Sequence, residues 1–146
     1  MRASVVRLLC LTCLAAVAPG AAVAEQFERI GPYEAHYSVV STTFLKPAVA
    51  ADYGIVRARD RALVNIAVID PAAGPVPATV TGTVTDLLGT TRDLEFREVR
   101  EGEAIYYLAT ARHGDKETLR FRIDVATPET GPHQLAFQQK LYWNAP

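Results

Sequence analysis

The stretch Thr118-Leu119-Arg120-Phe121-Arg122-Ile123-Asp124-Val125 alternates apolar and charged side chains without a break. A β-strand turns successive side chains to opposite faces, so Leu119, Phe121, Ile123 and Val125 share one face and Arg120, Arg122 and Asp124 the other. A helix would scatter both sets around its circumference. The stretch reads as a strand with one face in a core and the other in water, as antiparallel sheets allow.

The same period returns on either side. From Tyr33 to Val39, Tyr33, Ala35, Tyr37 and Val39 face one way and Glu34, His36 and Ser38 the other. Arg61 to Ile69 (RALVNIAVI) is almost continuously apolar, as a central strand covered on both faces would be. From Ala78 to Leu87, Thr79, Thr81, Thr83 and Thr85 alternate with Val80, Gly82 and Val84, a β-branched series that suits a pleated surface. Leu94 with Phe96, Ile105 with Tyr107, and Leu135 with Phe137 mark three further strands. Turn chemistry separates these runs at 70–77, Leu88-Gly89, Glu101-Gly102, His113-Gly114-Asp115 and Gly131-Pro132. Only Pro47 to Tyr53 reads as helical, with Pro47 suited to a first turn and Gly54 to a left-handed stop, although Lys46 is a poor N-cap. About seven short strands, no α/β alternation and one short helical turn predict an all-β, antiparallel immunoglobulin-like sandwich, with a closed barrel as the alternative.

Residues 1–24 stand apart. Arg2 and Arg7 precede an apolar run, Leu8 to Val17, and Ala22-Val23-Ala24 forms an A-x-A cleavage site before Glu25. The run is too short to span a bilayer, which takes about twenty residues. The expectation is a cleavable signal peptide, export to the periplasm and one domain over residues 25–146. Both cysteines, Cys10 and Cys13, fall inside the apolar run, so the processed chain has no disulfide or thiolate. Thr12 stands before Cys13 where a lipoprotein signal has a small residue, which argues against a lipid anchor. Removal of two arginines leaves 13 basic against 16 acidic residues, a formal charge of −3 that speaks against a nucleic-acid partner.

Few residues suggest chemistry. Glu34, His36 and Ser38 line up as acid, base and hydroxyl, but strand neighbours two apart are separated by about 6.5–7 Å, and neither a strained nucleophile turn nor oxyanion donors accompany them. They read as an outer strand face. Arg57, Arg59 and Arg61 would form a basic ridge if that stretch is extended, able to hold a phosphate, a carboxylate or an acidic surface. Tyr53, at the end of the helical turn beside it, and Asn65, an amide inside an apolar strand, complete the candidate binding residues. A buried Asn65 would need partners, such as a bulge or a neighbouring loop. His36, His113 and His133 lack the close spacing of metal ligands, so no metal site or cofactor is expected. Tyr106, Tyr107, Tyr142 and Trp143 fit either packing or an aromatic surface.

Y-E-A-H-Y from Tyr33, S-T-T-F-L-K-P-A-V-A-A-D-Y-G-I-V-R to Arg57, R-A-L-V-N-I-A-V to Val68, P-A-T-V-T-G-T-V-T-D-L-L-G at Pro77 to Gly89 and L-E-F-R-E-V-R-E-G at Leu94 to Gly102 together resemble the DUF4426 family of small exported proteins from Gram-negative bacteria. The resemblance covers nearly all of the processed chain and implies an exported single domain. Thr43, Phe44, Leu45, Tyr53, Arg57, Arg61 and Asn65 lie in the family-like signature, and the resemblance attaches no role to any of them.

The leading functional expectation is a non-enzymatic periplasmic binding or protein-interaction module whose partner is a periplasmic protein or a small anionic ligand. An accessory subunit of an envelope assembly would instead need a long, uncovered, uncharged strand edge. A small hydrolase would need His36 in a concave pocket beside a carboxylate and a nucleophile.

Overall fold

The computed structural model describes residues 26–144; the signal peptide expected over residues 1–24, with its cleavage after Ala24, lies outside the described residues. In chain order these residues form β1 (Gln26–Ile30), β2 (Tyr33–Ser41), a 3-10 turn (Thr42–Phe44), α1 (Pro47–Asp52), β3 (Arg61–Asp70), β4 (Gly74–Pro75), β5 (Thr79–Thr85), β6 (Thr91–Leu94), β7 (Arg97–Glu101), β8 (Ala104–Arg112), β9 (Glu117–Ala126) and β10 (His133–Leu141). One sheet runs β1-β2-β3-β8-β7, with β4 pairing the far end of β3, and the other runs β10-β9-β5-β6. Every pairing is antiparallel, and the two sheets face each other as an immunoglobulin-like sandwich.

β9 behaves as its alternation requires. Leu119, Phe121, Ile123 and Val125 are at most 1% exposed in the intersheet core, while Arg120, Arg122 and Asp124 face water. Val64, Ile66 and Val68 of β3 meet them from the first sheet. Leu63 points the other way, into a smaller cluster with Ala50, Ile55 and Leu108, where α1 and the chain after it cover part of the outer face. Apolar contacts on both faces account for the nearly unbroken hydrophobic run of β3. Across the second sheet, Gly82 stands opposite Ile123, and a Cβ on it would come 2.8 Å from the Arg122 carbonyl oxygen. Only glycine allows the two backbones to approach so closely.

α1 starts with Pro47, takes no side-chain cap from Lys46, and ends where Gly54 adopts φ +63°. The Tyr53 hydroxyl then donates to the Glu101 carboxylate at the end of β7, tying the helix to the sheet it covers.

The strand count exceeds the expected seven. β1 and β7 are five-residue edge strands with mostly exposed side chains, so neither offers an apolar period. β4 is two residues long and lies within a stretch that reads as turn. Leu94 and Phe96 do not share a strand: β6 ends at Leu94, and the chain crosses to the other sheet before Arg97. Both residues still pack on the common core, which is why they mimic a strand period.

Candidate functional site

A cleft of about 500 Å³ runs along one side of the sandwich. Its walls are the last residues of β2 (Val39, Val40, Ser41), the 3-10 turn with Thr43 and Phe44, the end of β10 (Gln139, Lys140, Leu141) and the segment Tyr142-Trp143-Asn144, with Arg59 and His113 between them. The lining therefore carries two full positive charges, several apolar and aromatic groups, and no carboxylate.

Arg59 sits with its guanidinium carbon 4.5 Å from the centre of the Trp143 ring, a cation–π contact. The indole is held from two sides: its backbone N–H donates to Asp115 Oδ1 at 3.0 Å and its Nε1 to the His113 carbonyl at 3.2 Å. The His113 backbone N–H donates in turn to the Asp60 carbonyl at 2.9 Å, which anchors the residue next to Arg59. His113 is 6% exposed, and its Nδ1 lies 2.8 Å from the Gly114 carbonyl oxygen. A carbonyl only accepts, so the proton is on Nδ1, and Nε2 is left a buried acceptor with no hydrogen-bond partner among the described residues.

The three arginines do not form a ridge. The Arg61 N–H donates to the Ala58 carbonyl at 3.2 Å, closing a turn through Arg59 and Asp60 that breaks the extended geometry the ridge needs. Arg57 Nη2 instead donates to the Thr43 carbonyl at 3.1 Å and braces the 3-10 turn. Arg61 lines a separate hollow of about 130 Å³ beside Glu95 and Arg97. Of the three, only Arg59 lines the large cleft.

Asp60 does not pair with these arginines; it accepts from Arg112 Nη2 at 3.1 Å. That hydrogen bond, and secondarily the Arg112 charge, holds its carboxyl below the ordinary 3.8 despite some desolvation. A depressed folded-state pKa gives stability that is present above 3.8 and lost as pH falls through the lower folded value. Asp60→Asn is expected to melt below the parent near neutral pH and to converge with it in strong acid. Thermal melts at both pH values check this, and an unchanged gap would show that the ion pair is not responsible.

The family model described as "Domain of unknown function (DUF4426)" matches residues 27–144. The chain belongs to the DUF4426 family. A crystal structure of a DUF4426 family protein from Pseudomonas aeruginosa PAO1 is 36% identical, with a TM-score of 0.73 over 81% of this chain and 94% of that one. FetP from uropathogenic Escherichia coli strain F11 shares the fold at 12% identity: a copper-bound variant has a TM-score of 0.59 over 81% of this chain and 95% of that one, and the as-isolated protein, expressed in the periplasm of Escherichia coli, 0.58 over 81% and 93%. No curated protein matches the chain.

On the outer face of the first sheet, this DUF4426 domain has a second hollow, of about 380 Å³, lined by Glu34, His36, Ala67, Ile69, Pro75, Tyr106 and their neighbours. His36 Nε2 lies 3.1 Å from Glu34 Oε2, and Phe27 stacks on the imidazole at 5.1 Å. The backbone spacing of a strand separates the two residues, but their side chains lean together, so the face is partly buried and not fully solvated. Ser38 does not line this hollow, nor does any serine, threonine or cysteine, which leaves acid and base without a nucleophile. Asn65 stands opposite Ser38 in β2, and its Oδ1 is buried with no hydrogen-bond partner among the described residues, contrary to the bulge or loop expected of it. Tyr53 packs in the outer cluster, and Tyr107 is in the main core. Tyr142 and Trp143 are the aromatic pair the domain brings into its cleft. Their place after the last alternating strand, where no core period explains them, is the one sequence signal for that role.

Proposed function

We propose that this DUF4426 protein is a non-enzymatic periplasmic binding module that takes a small anionic ligand with an apolar body in the large cleft. The observation that carries the reading is Arg59. Its guanidinium has no carboxylate partner among the described residues, one face is against Trp143, and Lys140 is the other charge in a lining without acids. A guanidinium stacked in this way keeps its donor edge for a planar carboxylate, while Phe44, Tyr142 and Leu141 suit an apolar body. The A-x-A site at Ala22 to Ala24 supports export, and the periplasmic expression of FetP agrees with it. The copper named for FetP stays with that protein: among the described residues no three His, Cys, Asp or Glu side chains gather to hold a metal.

Trp143 is the only tryptophan, so its fluorescence reports directly on the cleft. Titration with 3-phenylpropanoate is expected to give a saturable change that the uncharged 3-phenylpropanol does not match. Arg59→Gln should weaken the acid about tenfold or more, as loss of a charge-assisted hydrogen bond would. Equal binding of acid and alcohol, or an unaffected variant, would remove the reading.

A further inference from the structure

Resting on that reading of the cleft, we propose that its ligand is an extended peptide with an acidic residue, which adds as a strand along the uncovered half of β2. β1 pairs with β2 only from Tyr33 to Tyr37, with Gln26 opposite Tyr37 and Ile30 opposite Tyr33. β3 pairs with β2 from Glu34 to Ser41 on the other side. Among the described residues, Ser38 to Ser41 therefore have a strand neighbour on one side only.

Three features make this stretch receptive. Backbone N–H and C=O groups on the open side of a strand are a template for another strand. Here the Val39 carbonyl is met by a side chain, Gln139 Nε2 at 3.0 Å, in place of a strand. The sequence Ser38-Val39-Val40-Ser41 is β-prone and carries no charge or proline, the devices that blunt an edge. The other short edges carry them: Glu28 and Arg29 in β1, Arg92 and Asp93 in β6, and Arg97, Glu98, Arg100 and Glu101 in β7. Finally, Val39, Val40 and Ser41 are themselves a wall of the cleft, and the end of β10, which brings Lys140, forms another.

A strand laid in the line of β1 would thus enter the cleft, with alternate side chains toward its apolar lining and an acidic group within reach of Arg59 and Lys140. Four residues of strand span about 13 Å, which matches the open stretch. The expected cleavage after Ala24 removes the residues that would continue the register of β1 beside Val39 to Ser41.

The test uses the processed chain, residues 25–146, and the peptide acetyl-Thr-Val-Thr-Val-Phe-Asp, compared with the same peptide N-methylated at alternate amides and with 3-phenylpropanoate. N-methylation deletes main-chain donors and keeps every side chain. The parent peptide is expected to bind about tenfold tighter than its methylated form, as loss of two or so backbone hydrogen bonds implies, and to slow amide exchange within Ser38 to Ser41. 3-Phenylpropanoate should change Trp143 fluorescence without slowing those amides. Equal binding of the two peptides, or unprotected amides in Ser38 to Ser41, would overturn strand addition while a bound 3-phenylpropanoate left the anion cleft standing. If neither peptide nor 3-phenylpropanoate binds, both readings fall.

Discussion

Phe121→Ala is expected to lower the unfolding free energy by about 3–5 kcal/mol, the range for truncating a buried phenylalanine. Phe121 is 1% exposed at the middle of β9, between Val84 of β5 and Phe137 of β10 in the ladder. Its ring stacks on Phe137 at 5.1 Å, and Phe137 stacks on Tyr37 of the opposite sheet at 4.4 Å. The column Phe121–Phe137–Tyr37 therefore links the two sheets, and truncation removes one end of it where rigid strands on both sides prevent collapse into the space. Against a total stability of about 5–15 kcal/mol, typical of a domain, such a loss is a large fraction. Urea denaturation followed by fluorescence measures it, with Phe44→Ala as a control: Phe44 is 66% exposed, and its truncation should stay within about 0.5 kcal/mol. A loss below about 1 kcal/mol for Phe121→Ala would mean that the alternation of β9 does not set its burial.

The strands legible in the sequence are those whose burial has a period. β9 carries the intersheet core on one face only, so its alternation is complete, and β3, apolar toward both the core and α1, shows a continuous run instead. β1 and β7 stay hidden because edge strands bury little, and their order comes from backbone pairing, which any side chain permits. The arginine ridge fails on the same ground: its prediction assumes extended backbone, and one turn hydrogen bond, from Arg61 to Ala58, decides otherwise. The cleft is the least legible feature, since it is assembled from the end of β2, the 3-10 turn, Arg59, His113 and residues 139–144, which are far apart in sequence. Arg59 and Trp143 could each be singled out from the sequence; their pairing could not, because only the fold brings them together.

Thr42→Val tests whether the Arg59 turn is positioned by a single hydroxyl. Thr42 is fully buried, and its Oγ1 donates to the Ala58 carbonyl and accepts from the Ala58 N–H, both at 3.0 Å, so it pairs with that backbone much as a strand would. Valine has the same shape and neither function. The Ala58 carbonyl keeps the Arg61 N–H, but the Ala58 N–H has no other partner among the described residues, and an orphaned donor costs about 1–3 kcal/mol. Thr42→Ser keeps the hydroxyl and loses one methyl, so its cost should stay near 0.5–1.5 kcal/mol, roughly that of a single-methyl core truncation. Because Ala58 directly precedes Arg59, valine should also release the guanidinium from Trp143 and weaken 3-phenylpropanoate binding in the fluorescence titration, while serine should leave it near the parent value. Equal losses in stability for the two variants would assign the role of Thr42 to packing. Normal binding by the valine variant would show that Trp143 and the Arg61–Ala58 turn hold Arg59 without the threonine.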